Sequence, residues 1–253
     1  MDLKWLIELS IFSLLVFFTI LGRERREKII KKSFDDWVSD LLNLTIQGTI
    51  VPILQVYVIF KLLLYAFPSY QSSWELGWTG AIFLNFIVVD YIYYLVHKAL
   101  HRESLWGLHI LHHSVTDFDV FASGRNTIWT TFLFPYIWLN SIFLFMIDDK
   151  KSYLICASIT AMLDLWRHSR LAPEEKGIIF NFLSLFLITP HEHGWHHAKG
   201  VSKRNYGANL CIWDKLHGTF HKNNKFPKEM GVKVRSNLAT KLFFPSKLKR
   251  ENQ

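Results

Sequence analysis

The sequence predicts an all-α fold: a multi-pass bundle of membrane-spanning helices carrying a histidine-rich helical cap at one membrane face. Three observations lead there. Apolar residues make up half of the 253-residue chain, and they come in long blocks instead of interleaving with polar residues as in a soluble core. Lysine and arginine crowd some of the loops between these blocks and are missing from others. All twelve histidines fall in segments that this charge pattern places on a single side.

Crossing a hydrocarbon layer of about 30 Å takes roughly 20 apolar residues as a helix. Residues 5–21 meet this marginally, weakened by Glu8. The run is too long for a cleavable signal and lacks a small-residue cleavage site, so it reads as an anchor or first span. Residues 41–60, 78–96 and 128–147 are full-length candidates. Residues 152–166 are short enough to tilt, dip in and out, or pack as a hairpin with the preceding span. Residues 178–188 are shorter still and belong to the interface or lie against the bundle. The loop GRERREKIIKK carries Arg23, Arg25, Arg26, Lys28, Lys31 and Lys32, which places it in the cytoplasm. PSYQSSWELG has no Lys or Arg and faces the other side. Counting onward returns the chain to the cytoplasm after Val96, takes it out near residues 148–151, and brings it back by Arg167.

The chain is therefore expected to form a single membrane domain over residues 1–253. Residues 1–67 supply the N-terminal spans and basic loop, residues 78–221 the histidine-bearing region, and residues 222–253 a basic cytosolic tail. The formal charge of +8 then suits a membrane surface better than nucleic acid, and no nucleic-acid partner is expected. Two cysteines, Cys156 and Cys211, are too few for a disulfide framework or a cysteine-based zinc ribbon.

The histidines form three groups and a singlet. In HKALH, His97 and His101 lie four apart and share a helix face, with Asp90 and Tyr94 continuing it upstream. In HILHH, His109 is one turn from both His112 and His113, which diverge by about 100°, so one short helix could serve two metals. HGWHH (His193, His196, His197) repeats that spacing some eighty residues later. His168 follows Asp164 by four residues. Neutral imidazoles suit Fe, Zn, Cu and Ni, and eight or nine of them exceed what one metal can use, which implies two. The zinc-protease pattern HExxH is absent, so Glu192 is expected at the surface rather than as a general base. His191 precedes His193 by two residues and should point away from it. His217 and His221 are expected to be capping or interfacial residues.

These segments, taken in order (HKALH, LHILHHS, RHSR, TPHEHGWHH and RNYGANLCIWDKLHGTF), resemble the fatty acid hydroxylase superfamily in its sterol desaturase branch. The likeness runs from about residue 90 to 220, and the ordered set is far more specific than any one motif. It implies a non-haem di-iron oxygenase with its histidines at the cytosolic ends of the spans, using O₂ and supplied electrons to hydroxylate or desaturate sterols, acyl chains, sphingolipids, ether lipids or carotenoids. Carried over residue by residue, it implies nine metal ligands: His97, His101, His109, His112, His113, His168, His193, His196 and His197. Zinc is a possible substitute for iron. Acyl hydroxylases of the family carry a further histidine where this chain has Asp164, which suggests a carboxylate ligand or an acceptor for an imidazole N–H. The usual FGT segment reads His217-Gly218-Thr219 here. Asp90, Asn205 and Asp214 are candidates for supporting the ligands from behind.

Aromatic residues such as Phe83, Phe86, Tyr91, Phe132 and Phe134 could line a lipid pocket, though helix packing is the commoner use of such residues. The chain has no flavin motif, GxGxxG or cytochrome b5 signature. Electrons are thus expected from a separate donor, of ferredoxin or cytochrome b5 type, docking on the basic surface. The expected location is the bacterial inner membrane, or the endoplasmic reticulum in a eukaryote. Two rival classes stand against an enzyme: a metal-transporting or metal-buffering membrane protein, whose ligands should run down the spans, and a non-catalytic family member.

Overall fold

A computed structural model describes residues 3–172, 177–200, 203–223 and 225–248. Its elements are helical; among the described residues β-pairing is limited to three isolated bridges. Helix α1 (Leu3–Leu21) leads through Gly22 into the charged α2 (Arg23–Ile30). The long α3 runs Phe34–Ala66 and α4 runs Gly77–Leu100. After the one-turn α5 (Trp106–His109) come α6 (Ile128–Leu133), α7 (Pro135–Met146) and α8 (Lys150–Arg167). The cap adds α9 (Ile178–Leu183), α10 (Pro190–His196), α11 (Ile212–Leu216) and α12 (Leu238–Phe243).

Among the described residues, three helical stretches are long and apolar enough to cross a membrane: α3, α4 and the 19-residue stretch Ile128–Met146 made by α6 and α7. They coincide with the three full-length sequence candidates and mark an integral membrane protein. Ser33 begins α3, its hydroxyl accepting the Asp36 N–H at 3.2 Å, as an N-cap should. Pro52 has no N–H to return to an earlier carbonyl, and wider π-type turns flank it at Ile46–Ile50 and Gln55–Ile59. Phe134 takes an extended ψ of 142° and Pro135 restarts the helix as α7, since the residue before proline avoids the helical region.

The 152–166 segment lies within the regular 18-residue helix α8, which packs as a hairpin with α7 and also along α1. Residues 178–188 form α9 and a turn, with Ile178 88% and Phe182 61% exposed; such an apolar face on a six-residue helix fits an interface, not a span. In the half of the bundle away from the cap, Ala81, Leu84, Phe143, Ile147, Tyr153 and Cys156 form the main apolar core. There the loop before α4 is clipped to the end of α7 by Trp74 N–H to Met146 O, 2.9 Å, and Asp148 N–H to Trp74 O, 3.1 Å.

The described part of the 222–253 tail, which ends at residue 248, folds against the cap. Gly231 donates its N–H to His197 O at 3.1 Å and Val232 donates to His113 O at 2.8 Å. Gly231 has φ +85°, and a Cβ there would meet the Val115 carbonyl at 2.8 Å, so only glycine fits. Residues 249–253 lie outside the described residues, as do the side chains of residues 1–8, including Glu8.

Candidate metal centre

The nine implied ligands converge at the cap end of the spans and sort into two groups. His97, His101, His109, His113 and His196 form one; His112, His168, His193 and His197 form the other. His97 sits in the last turn of α4 and His101 caps its end. HILHH does not form the single short helix expected from its spacing. α5 stops at His109, and a separate 3₁₀ turn holds His112–Ser114. His193 and His196 lie on α10 and His197 caps it.

The two HxxHH motifs divide in opposite senses. His109 and His113, four apart, enter the five-histidine group and send His112 to the other; His193 and His197 enter the four-histidine group and send His196 across. Each motif thereby ties both groups together.

The imidazole edges settle what the groups can hold. His97 Nδ1 lies 2.7 Å from Tyr206 O, His112 Nδ1 3.1 Å from Arg125 O, His168 Nδ1 2.8 Å from Asp164 O and His196 Nδ1 2.6 Å from Arg204 O. A carbonyl only accepts, so these Nδ1 atoms carry the proton and Nε2 presents a lone pair. Yet the Nε2 atoms of different histidines face one another at 2.9–3.4 Å within each group. His112 and His168, both with Nδ1 protonated, oppose lone pair to lone pair at 3.4 Å. A shared cation resolves this conflict: two nitrogens at about 2.1 Å from one ion stand about 3.0–3.4 Å apart at right-angled to tetrahedral bond angles. Burial also keeps the rings neutral and ready to ligate. It holds His109, His112, His113, His193 and His197 well below the ordinary histidine range, His168 at about 3 and His196 at about 4.

Behind the rings, backbone carbonyls do the orienting, as metal-bound histidines require. Asp90 accepts from Asn209 N and Nδ2, Leu210 N and Trp213 Nε1. Asp214 accepts from Tyr206 N and Gly207 N at 2.8 and 2.7 Å. Asn205, at φ +54°, donates to Glu192 O and His221 O. These three side chains shape the loop whose Tyr206 and Arg204 carbonyls receive His97 and His196. The Asp164 carboxylate pairs with the buried Arg167 and stays 3.7 Å from His168 Nδ1; the backbone carbonyl of Asp164 takes that proton instead.

Glu192 departs from expectation. It is 2% exposed and closes a capping box on Thr189 at the start of α10, since buried first-turn N–H groups need acceptors. The helix begins one residue before His191, which is buried between Phe180 and Phe226 and belongs to neither group. His217 stacks on Tyr91 and Tyr94, and His221 meets Arg204 and Trp195.

A cavity of about 480 Å³ opens from the spans onto both groups, touching His109 of one and His112 and His168 of the other. Of the five aromatic candidates only Phe134 lines it, while Phe83 is exposed, Phe86 packs in the core and Tyr91 packs against Trp213 at a tilt. The lining contains residues that sequence reasoning passed over: Gln47 and Gln55 on α3, Asn126 and Thr131 near His109, and Asn140 on α7. A related network was missed as well. Arg125, whose carbonyl holds His112, is gripped by Asp40 at 2.6 and 2.9 Å and by Asp36 at 2.7 Å, and Lys32 bridges Asp40 to Asp119. Asp36, Asp40, Asn43 and Gln47 recur every three or four residues in an otherwise apolar helix. That polar stripe was the available signal.

Fold and site together define an integral membrane protein with a paired histidine centre able to hold two metal ions. The fatty acid hydroxylase family profile matches residues 82–219, more than half of the chain, and the chain belongs to that family. Ornithine lipid hydroxylase OlsE of Rhizobium tropici is 35% identical over 160 residues, covering 60% of this chain and 46% of that protein. Alkylglycerol monooxygenase of Homo sapiens is 28% identical over 161 residues, covering 62% and 34%. Fatty acid hydroxylase vlmA of Lecanicillium sp is 29% identical over 155 residues, covering 55% and 42%. The match thus spans less than half the length of each of these relatives. No solved structure matches the chain.

Proposed function

We propose that the protein is a membrane-bound di-iron oxygenase of the sterol desaturase branch that hydroxylates or desaturates a lipid, with its site at the cytoplasmic face. The observation that carries this is one cavity, open to the spans, touching imidazoles of both groups. The nine histidines would hold two irons, and bound iron supplies the activation of O₂ needed to attack an unactivated C–H bond. For hydroxylation, R–H, O₂, two electrons and two protons give R–OH and water. The electrons come from a separate donor protein of ferredoxin or cytochrome b5 type, drawn to the basic cap.

The chain's own part is positional. Carbonyls of Tyr206, Arg125, Asp164 and Arg204 hold four rings with Nε2 turned inward. The walls between α1, α3, α7 and α8 admit a lipid chain sideways from the bilayer and keep water out. Metal transport is the weaker alternative, because beyond Asp164 and the three histidines the described lining of the cavity is amides, hydroxyls, aromatic and aliphatic groups, with no further histidine, cysteine or carboxylate.

Purified, iron-replete protein in lipid nanodiscs should hold close to two irons per chain. With NADPH and a reductase system it should transfer one atom of ¹⁸O₂ into a lipid, or form a double bond while reducing O₂ to water. A preparation that stays at one metal, or consumes no O₂ with any lipid extract, would overturn the proposal.

A further inference from the structure

Asp90 is a carboxylate inside a membrane span, and such a group needs a reason. The 24 residues of α4 make a helix about 36 Å long at 1.5 Å per residue. Wherever a hydrocarbon layer of about 30 Å sits on that length, Asp90 lies roughly 10–16 Å below its cap-side edge. Tyr91 is at nearly the same depth. Its face of α4 looks outward: Ile87 and Leu95, four residues to either side, are 37% and 43% exposed.

Tyr91 itself is covered, and by the cap. Trp213 packs against it with ring centres 4.7 Å apart, and His217 stacks on it at 5.8 Å. Helix α11 therefore lies against the outer face of α4, below the membrane surface. The turn after α9 is fastened beside it: Cys211 N–H donates to Phe186 O and Ile188 N–H to Asn209 O, both at 2.8 Å. Asp90 accepts two more backbone N–H groups, those of Asn209 and Leu210, at 2.9 and 3.0 Å. Hydrocarbon offers a backbone N–H no partner, so a segment at this depth must satisfy its own from within the protein. That is the use of the carboxylate.

The outward surface of this pair is apolar. Ile178, Phe182, Leu185, Phe186, Ile212 and Leu216 are each more than half exposed, and Phe182 and Phe186 meet edge to face at 5.5 Å. Lys215 is the one exposed charged side chain within residues 178–188 and 209–217. Its amine returns to Leu185 O at 2.7 Å, over the Phe220 ring, as a lysine at an apolar boundary does. We infer that residues 178–188 and α11 form a wedge seated in the cap-side leaflet of the bilayer, with lipid acyl chains covering its apolar face. The wedge continues the lipid-facing surface of α4 out to Leu216 and Phe182. It bears on the metal centre through one loop, since Asp214 of α11 accepts the Tyr206 N–H and Tyr206 O holds His97 Nδ1. The inference rests on the spans and not on the reaction.

The test measures depth in the full-length protein in nanodiscs. Phe182→Cys and Leu216→Cys carry bimane, with Ile53→Cys on the lipid face of α3 and Lys225→Cys on the cap as references, all four positions being exposed. The native Cys156 and Cys211 are buried. Fluorescence is quenched either by lipid brominated in its acyl chains or by iodide in the water. Probes at Phe182 and Leu216 should lose most of their emission to brominated lipid, as at Ile53, and almost none to iodide; the Lys225 probe should do the reverse. Iodide quenching at Phe182 or Leu216 equal to that at Lys225 would overturn the inference by placing the face in water. Shielding from both quenchers would overturn it too, by showing that protein, such as a second copy of the chain, covers the face. In the unmodified protein, a phospholipid with a diazirine in its acyl chain should cross-link to residues 178–188 and 212–217. Labelling confined to α3, α4 and α7 would count against the wedge.

Discussion

His191 and His193 stand two positions apart in sequence, yet one packs among aromatic rings and the other joins a histidine group. His193 faces His168 at 2.9 Å, nitrogen to nitrogen, whereas His191 lies among Phe180, Phe226 and the first turn of α10. His193→Ala and His197→Ala should empty the four-histidine group, and His196→Ala should weaken the five-histidine group, each abolishing activity. His191→Ala should keep both metals and most activity, while losing about 2–3 kcal/mol of stability to the void left by a buried ring. Elemental analysis of the purified variants decides this, and metal loss from the His191 variant equal to its neighbours' would refute the assignment. Asp164 poses a sharper question, because its backbone and side chain do different things. Asp164→Asn keeps the carbonyl that orients His168 but leaves Arg167, 1% exposed, without its anion. Metal should load, and thermal stability should fall by a few kcal/mol. An unchanged melting temperature would mean that the ion pair is idle.

At the scale of elements, α3 matters more than a plain span. One face meets lipid, and its first half presents Asp36, Asp40, Asn43 and Gln47 to the loop of residues 119–126. That loop delivers the Arg125 carbonyl to His112, so a polar stripe on one helix positions a ring of the four-histidine group. Asp40→Ala removes the anion shared by Arg125 and Lys32, both largely buried, and should cost about 3–5 kcal/mol. The four-histidine group, which includes His112, should lose its metal before the other does. Metal titration followed by spectroscopy with cobalt would show this; simultaneous loss from both groups would tie Asp40 to general unfolding instead.

For the whole molecule, the loop charges predict that the histidine cap is cytoplasmic and that the loop of residues 68–76 is outside. Cys156 and Cys211 are both buried, so single cysteines can be introduced without a background. Glu75→Cys and Lys225→Cys, both at exposed positions, should react with a membrane-impermeant maleimide from opposite sides of sealed vesicles. Labelling from the same side would break the topology.

Three membrane-length helices were legible because hydrophobic length is a local property: about 20 apolar residues in a row need no partner to be recognised. The nine clustered histidines were legible for a similar reason, since spacing of three or four residues on short helical turns already limits which rings can meet. Tertiary structure alone decided how they divide, sending His112 and His196 each across to the group opposite its motif mates. It also decided that Glu192 goes inside, where a buried helix start needs an acceptor, and that Asp164 turns its carboxylate to Arg167. The cavity was hidden for the same reason. Gln47, Asn126, Thr131 and Asn140 are ordinary polar residues scattered over almost a hundred positions, and they come to line one space only where the tertiary fold closes around it.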